Sequence, residues 1–369
     1  MTKAAETPST RATQALIRRT LCPNTPPKTP ITELLPPLTS RNDVDEELYA
    51  LLAMLLREYV QRWYGAITSD ETLVTEIVSV FAHCSRGVEG RARGVDWGAV
   101  LGDEVAFLLG GHVDAYRKAE SNSQSQTRTT YHALNPFPPL DATTPTQQLE
   151  RERSYRGLLS EGILAVLLPT EELEDSCVRA LLVEMLAELL IGNAVGRAAQ
   201  PWVILEGLGV RMPWLDGLLQ LVRFGAVHGP GRVADVDGVL DRLLSRTLTS
   251  KLPPLPTTLR TLRSTSSPNP PAGPSTPRPP STEAEFLALR RRAALSLWRM
   301  LPWPAAGRLY FSAGDEAEAL EQVDGLLAVW GDEYCNRHLV YALVELLVVR
   351  VLPELAERGV SDLWRERLG

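Results

Sequence analysis

The chain has 369 residues, 44% of them hydrophobic, and a formal net charge of -7. That is enough apolar material for one large core or two smaller ones, and the acidic balance gives no electrostatic reason to expect nucleic acid as a partner. Only 6% of residues are aromatic and Leu, Ala, Val, Arg and Glu dominate the patterned segments, so the expected fold is all-α.

Residues 1–42 are rich in Thr and Pro without periodic apolar positions and read as a disordered N-terminal segment. A helical domain is expected over 43–249. Its first helix starts near Asp43, with Asp43 as cap and Glu46 completing a capping box, and its face is Leu48, Leu52, Leu55, Tyr59 and Trp63. Thr68 and Glu71 start a second helix carrying Leu73, Ile77 and Phe81, and a third covers Trp97 to Ala119. Residues 120–148 read as a long surface loop. Helices resume over Leu149 to Leu168 and stop at Pro169, Thr170 caps the next stretch, and the main apolar helix runs from Cys177 to Val195. Further helices are expected at Trp202 to Val210, Trp214 to Phe224 and Val233 to Leu248. Residues 250–281 are a Pro/Ser/Thr-rich linker, read as a passive tether in preference to a docking motif for a partner domain. A C-terminal helical region, 282–369, is expected to pack on the first domain. It opens on a Thr282/Glu285 capping box and holds helices from Phe286 to Leu301, Glu316 to Trp330 and Glu333 to Leu352, with a kink or restart at Pro353. No period-2 strand and no internal repeat stand out.

The greasiest windows, Ala180 to Val195 and Leu339 to Leu352, are shorter than the roughly 20 residues a membrane span needs and are interrupted by Glu184, Glu188, Glu345 and Arg350. No transmembrane segment or signal region is expected. Cys22, Cys84, Cys177 and Cys335 are scattered, so neither a disulfide framework nor a zinc site is expected, and a reducing compartment fits. There is no phosphate loop and no nucleophile elbow, and Gly207 and Gly209 lack the third glycine of a dinucleotide fingerprint. The five histidines stand far apart in the chain. No catalytic residue, metal ligand or cofactor is assigned.

The stretch from Leu55 to Ile77 resembles the opening of PXA domains, the PX-associated domains of sorting nexins and related fungal proteins. Trp63, Tyr64, Ile67, Thr68 and Asp70 fill that family's Trp-Tyr, Ile-Ser/Thr and acidic positions. His132 and Leu134, in the stretch 131–135, resemble its His–Leu segment, and Leu168, Pro169, Glu172, Leu173 and Glu184 match its middle. The resemblance covers about 44–210. The stretch 332–360 resembles the C-terminal helices of fungal PXA proteins and, more loosely, the C-terminal nexin region. Such a family implies a non-catalytic helical module, cytoplasmic and peripheral to endomembranes, with phospholipid or a membrane surface as partner and protein partners in addition. Some members are thought to shelter lipid in an apolar groove shared by the two regions. The chain departs from the family in having no anchor helix and neither room nor a basic motif for a PX domain, so phosphoinositide recognition is not carried over.

Three surfaces follow as candidates. Leu181, Leu182, Met185, Leu189, Leu343, Leu347 and Val348 are the expected lining of such a groove; the competing reading is a central core helix whose Glu184 and Glu188 are solvated or paired with Arg. His338, Tyr341 and Glu345 share one stripe of an apolar helix, either as a local hydrogen-bond network or as the polar end of a lipid pocket. Arg291, Arg292, Trp298, Arg299 and Trp303 suit an anionic membrane surface, against the plainer alternative of an ordinary packed helix. The rival to the lipid reading as a whole is a helical protein-interaction scaffold in endosomal or vacuolar trafficking without bound lipid.

Overall fold

The computed structural model describes residues 8–23, 25, 26, 29–61, 64, 66, 72–122, 127–142, 144–207, 256, 259, 260, 263, 279–300 and 315–368. Among these every regular element is helical and there is no strand. The expected helices at Trp214 to Phe224 and Val233 to Leu248, and the Thr68/Glu71 start signal, lie outside the described residues.

The N-terminal segment read as disordered is structured over most of its length. Helix α1 (Pro8–Leu21) and the single turn α2 (Ile31–Leu34) precede α3 (Asn42–Leu55), which runs on through a π-helical turn, Leu56–Val60. Thr13, Ile17, Thr20 and Leu21 are buried, and Ile17 and Leu21 join Leu38, Leu52, Ala53 and Leu56 in one apolar core. Average composition hid this stripe, because its spacing of three to four residues is carried partly by threonine. The capping expectation also changes. No side chain caps α3; the buried Asp45 instead accepts from Leu38 N at 3.1 Å and Thr39 N at 2.7 Å, fastening the incoming strap to the helix.

Helix α4 (Thr72–Ala92) completes this core with Val74, Ile77, Val78 and Ala82. On another side it places Val80 against Leu164 and Leu168. Helix α5 (Trp97–Ala99), capped by Asp96, passes through a π turn (Val100–Glu104) into α6 (Val105–Asn122). The expected loop at 120–148 contains α7 (Thr127–Leu134), packed on α6. Its Thr-rich sequence is a poor helix former alone, and burial of Tyr131 to 1% exposure supplies the tertiary support.

Helix α8 (Pro145–Leu167) starts with Thr144 accepting from Gln147 N and Pro145 at the first position, an arrangement that satisfies one orphan donor and removes another. Then follow α9 (Thr170–Glu174), without a side-chain cap, and α10 (Ser176–Glu184), capped by Asp175, which continues through a π segment (Met185–Gly192) into α11 (Asn193–Ala198) as one almost continuous, largely apolar rod. Helix α12 (Pro201–Glu206) buries Leu205 against the C-terminal pair α13 (Glu283–Met300) and α14 (Glu316–Leu327). At the start of α13, Glu285 N is bonded to Thr282 Oγ1 while Ser281 N donates to Glu285.

Helix α15 (Glu333–Val351) is capped by Asp332 and ends before Pro353; α16 (Glu354–Glu357) and α17 (Val360–Leu368) return over α8. The return is close. A Cβ at Gly162 would lie 2.9 Å from Leu355 Cδ2, so a larger residue where α16 crosses α8 would have to push the Leu355 side chain aside. Helix α15 contacts α4, α6, α7 and α11. Residues from the Pro/Ser/Thr-rich stretch also reach this body: Arg260 and Arg263 pair with the buried Glu47 at 2.8 and 2.9 Å. Arg260 and Arg263 are thus paired with the helical body, while most of the stretch expected to be a passive tether lies outside the described residues.

Candidate functional site

The seam between α15 and helices α6, α7, α8 and α11 holds most of the buried polar groups. Glu152 on α8 is 2% exposed. It accepts from Gln148 Nε2 at 2.7 Å, Arg337 Nη1 at 2.9 Å and the Tyr341 hydroxyl at 2.9 Å. One turn on, Arg156 donates to Tyr341 Oη at 3.1 Å and to Glu188 at 2.8 Å. A buried carboxylate and a buried guanidinium are tolerated only when paired and bonded, and here each charge meets its opposite.

Beside this network lies an aromatic cluster. His112 is 2.7 Å from the Tyr131 hydroxyl and stacks on Trp330 with ring centroids 4.9 Å apart. His338 is surrounded by Tyr131, His132, Tyr334 and Phe137 at centroid distances of 5.3, 5.3, 5.0 and 6.1 Å. Burial pushes the His112 pKa down to about 4. His338 falls to about 3, first through burial and then through the neighbouring His132 and His112. Both imidazoles are therefore neutral in the fold at neutral pH. Histidines that are far apart in the chain converge here, but no group of three His, Cys, Asp or Glu side chains among the described residues can hold a metal. Burial also raises the thiols of Cys22, Cys84 and Cys335, which leaves them poor nucleophiles.

The polar stripe divides between these neighbours. Tyr341 is fully buried in the Glu152–Arg156 network, His338 sits among the aromatic rings, and Glu345 accepts from Tyr155 on α8 at 2.5 Å. Glu345 and Tyr155 also border an open cavity of about 760 Å³ between α8, α15 and the loop 136–139. A second hollow, about 450 Å³, is bordered by Arg91 and Arg350, which are already paired with Glu354 and Glu104.

The groove candidates are spread over several surroundings. Leu182 packs on Val80, Leu164 and Leu168, and Met185 on the N-terminal core. Leu181, Leu189, Leu343 and Val348 are half-buried, and Leu347 is 41% exposed. The two apolar helices meet where Ile191 and Val195 join Val340, Tyr341 and Val344 in a cluster with Leu140. Glu184 pairs with Arg153 in solvent and Glu188 with Arg156.

The membrane-surface candidates are corrected in part. Trp298 is 3% exposed inside the α12–α13–α14 core, with its Nε1 donating to Glu316 at 2.8 Å, so it cannot insert into a bilayer. Arg291 is exposed, and Arg292 is exposed but paired with Glu206. The Arg299 side chain and Trp303 lie outside the described residues. Of the motif positions, Tyr64 packs on the N-terminal core, His132 joins the aromatic cluster and Pro169 precedes α9; Trp63 and Asp70 lie outside the described residues.

Sequence reasoning missed Phe137, Glu152, Tyr155, Arg156 and Arg337. One signal was present: Gln148, Glu152 and Arg156 recur every four residues along one face of α8, a polar stripe on a helix that must also be buried.

Residues 41–209 match the PXA domain family. Sorting nexin-13 of Homo sapiens and that of Mus musculus are each 24% identical to the chain over 180 residues, 44% of this chain and 18% of theirs. PXA domain protein 1 of Schizosaccharomyces pombe is 26% identical over 192 residues, 48% of this chain and 37% of that protein. The chain thus spans well under half the length of these relatives. No solved structure matches it. The segment 41–209 therefore resembles PXA domains and is similar to sorting nexin-13 and the fission-yeast protein.

Proposed function

We propose that the chain is a non-catalytic module of membrane trafficking that associates peripherally with endomembranes and shelters acyl chains along its two most apolar helices. The observation that carries this reading is incomplete burial. None of the seven groove candidates is buried, although Ala187 and Val195 on the same rod are. Leu190 and Leu347 are 38% and 41% exposed. Apolar faces of this kind mark surfaces that meet protein or lipid. The family resemblance supports a place in trafficking, and among the described residues no helix is long and apolar enough to cross a membrane.

A second reading, a protein-interaction scaffold without lipid, draws on the seam. The contact between the PXA-like helices and α15 is filled by the Glu152–Arg156–Tyr341 network. Extraction of fluorescent phospholipid from liposomes separates the two. Lipid pick-up by wild type that is lost in Leu190→Asp with Leu347→Asp, at an unchanged circular dichroism spectrum, supports the groove. No pick-up from any membrane composition leaves the scaffold.

A further inference from the structure

We infer that the cavity between the 136–139 loop, α8 and α15 is a binding site for a phosphocholine group. The inference rests on the membrane-associated reading and gives that reading a headgroup. The cavity joins three features that a zwitterionic quaternary ammonium phosphate requires.

The first is an aromatic wall held rigid from behind. Phe137 and Tyr155 border the cavity, with ring centroids 5.2 Å apart and planes at 78°. Phe137 is fixed by stacking on the buried Tyr341 at 5.2 Å and by the edge of His338. Two aromatic faces set at an angle are the arrangement that takes up a quaternary ammonium.

The second is negative charge beside those rings. Glu345 and Glu150 both border the cavity. Glu345 is held in place by the Tyr155 hydroxyl, and the carboxylate of Glu150 has no partner among the described residues. The rest of the wall is Ser154, whose hydroxyl donates to Glu150 O, together with three prolines and the two aromatic rings. A primary ammonium needs three hydrogen-bond acceptors, whereas a trimethylammonium needs none. The Phe137 and Tyr155 rings and the three prolines give a trimethylammonium the apolar and cation–π contact it needs, which is the ground for choline over ethanolamine.

The third is a free cation for the phosphate. Arg151 lies on the same rim and makes neither an ion pair nor a hydrogen bond among the described residues. Arg151 and Glu150 are adjacent on α8, so their side chains diverge and cannot neutralise each other across one helical face. A basic peptide would satisfy the carboxylates and leave Arg151 facing a like charge; a zwitterion satisfies both ends.

The test uses the full chain. Calorimetric titration with glycerophosphocholine, beside choline chloride and inorganic phosphate, measures the headgroup alone. Flotation with vesicles of phosphatidylcholine, phosphatidylethanolamine or phosphatidylglycerol measures it on a membrane. The expected result is binding of glycerophosphocholine above either half-ligand, preference for phosphatidylcholine vesicles, and an affinity loss of about tenfold in both Glu345→Gln and Arg151→Glu. Glu345→Gln keeps an acceptor for Tyr155, and Arg151 is exposed, so both variants should retain the wild-type melting temperature. Absence of glycerophosphocholine binding overturns the inference, as do equal binding of all three vesicles, unchanged affinity in the variants, and binding only of an arginine-rich peptide. Fluorescent acyl-chain extraction on the same samples judges the lipid-sheltering reading separately. Extraction without headgroup preference sinks this site and leaves that reading standing.

Discussion

The N-terminal core and the seam against α15 are both buried, yet they mix apolar and polar groups in different proportions. Around α1, α3 and α4 an apolar cluster with Ile17, Leu38, Leu52, Leu56 and Ile77 dominates, although the same helices also bury Thr13, Thr20, Asp45 and Glu47. Around α15 the buried groups include Glu152, Arg156, Tyr341, His112 and His338. Apolar packing is non-directional and tolerates repacking, so it supplies stability without dictating one mating geometry. A paired network is satisfied in one register only. We therefore read the seam as the device that sets how the C-terminal helix docks on the PXA-like helices, a role buried polar groups perform in some proteins at a cost in stability.

The comparison is broken most severely at Glu152. Glu152→Ala should destabilise the protein by about 3–5 kcal/mol, because Arg156 and Arg337 would lose a buried counter-charge. Glu152→Leu with Arg156→Met should recover a large part of that loss while broadening the amide spectrum of α15. A double variant as unstable as the single one would show that the network contributes net stability as well as geometry.

Next comes Ile17→Ala in α1, expected to cost about 2–5 kcal/mol in urea titration, as for any large aliphatic group removed from a closed core. A cost under about 0.5 kcal/mol, the size of an ordinary surface change, would mean that α1 does not belong to this core.

Acid sharpens the contrast. His112 and His338 have folded-state pKa values of about 4 and about 3, below the ordinary 6.5. Below pH 6.5 the unfolded chain takes up protons that the fold does not, so stability is complete above pH 6.5 and falls as pH drops toward the folded values. The slope is about 1.4 kcal/mol per pH unit for each imidazole. Melting curves between pH 7 and 5 should show this loss, and His338→Phe should reduce the slope by about half of it. The N-terminal core contains no histidine, so Ile17→Ala should shift the curve without changing its slope.

The smallest effect belongs to the exposed pair Arg153–Glu184, with side chains 62% and 55% exposed. Arg153→Ala should change stability by about 0–1 kcal/mol, and less in high salt. A larger loss would extend the seam's network to the outer face of α8.

The two regions also differ in how readable they are. Apart from α7, the longer helices from Trp97 onward announce themselves through apolar spacing and Pro boundaries, as at Pro145, Pro201 and Pro353. Helix α1 does not, because Thr13 and Thr20 hold buried positions that a composition count assigns to solvent. In α7, a segment of weak propensity is made helical by the burial of Tyr131. Trp298 misleads in the other direction: an Arg-flanked Trp looks interfacial until α12 and α14 close over it.

By itself the sequence determined the helical class, the positions of the strongly periodic helices and the resemblance to PXA domains, since these depend on local spacing and motif order along the chain. Tertiary structure alone decided which polar side chains are interior. Glu152, Arg337 and Tyr341 come from segments about 185 to 189 residues apart. A buried charge is stable only beside a partner, and that partner is chosen by how helices pack, a distance in space that no spacing along the chain encodes.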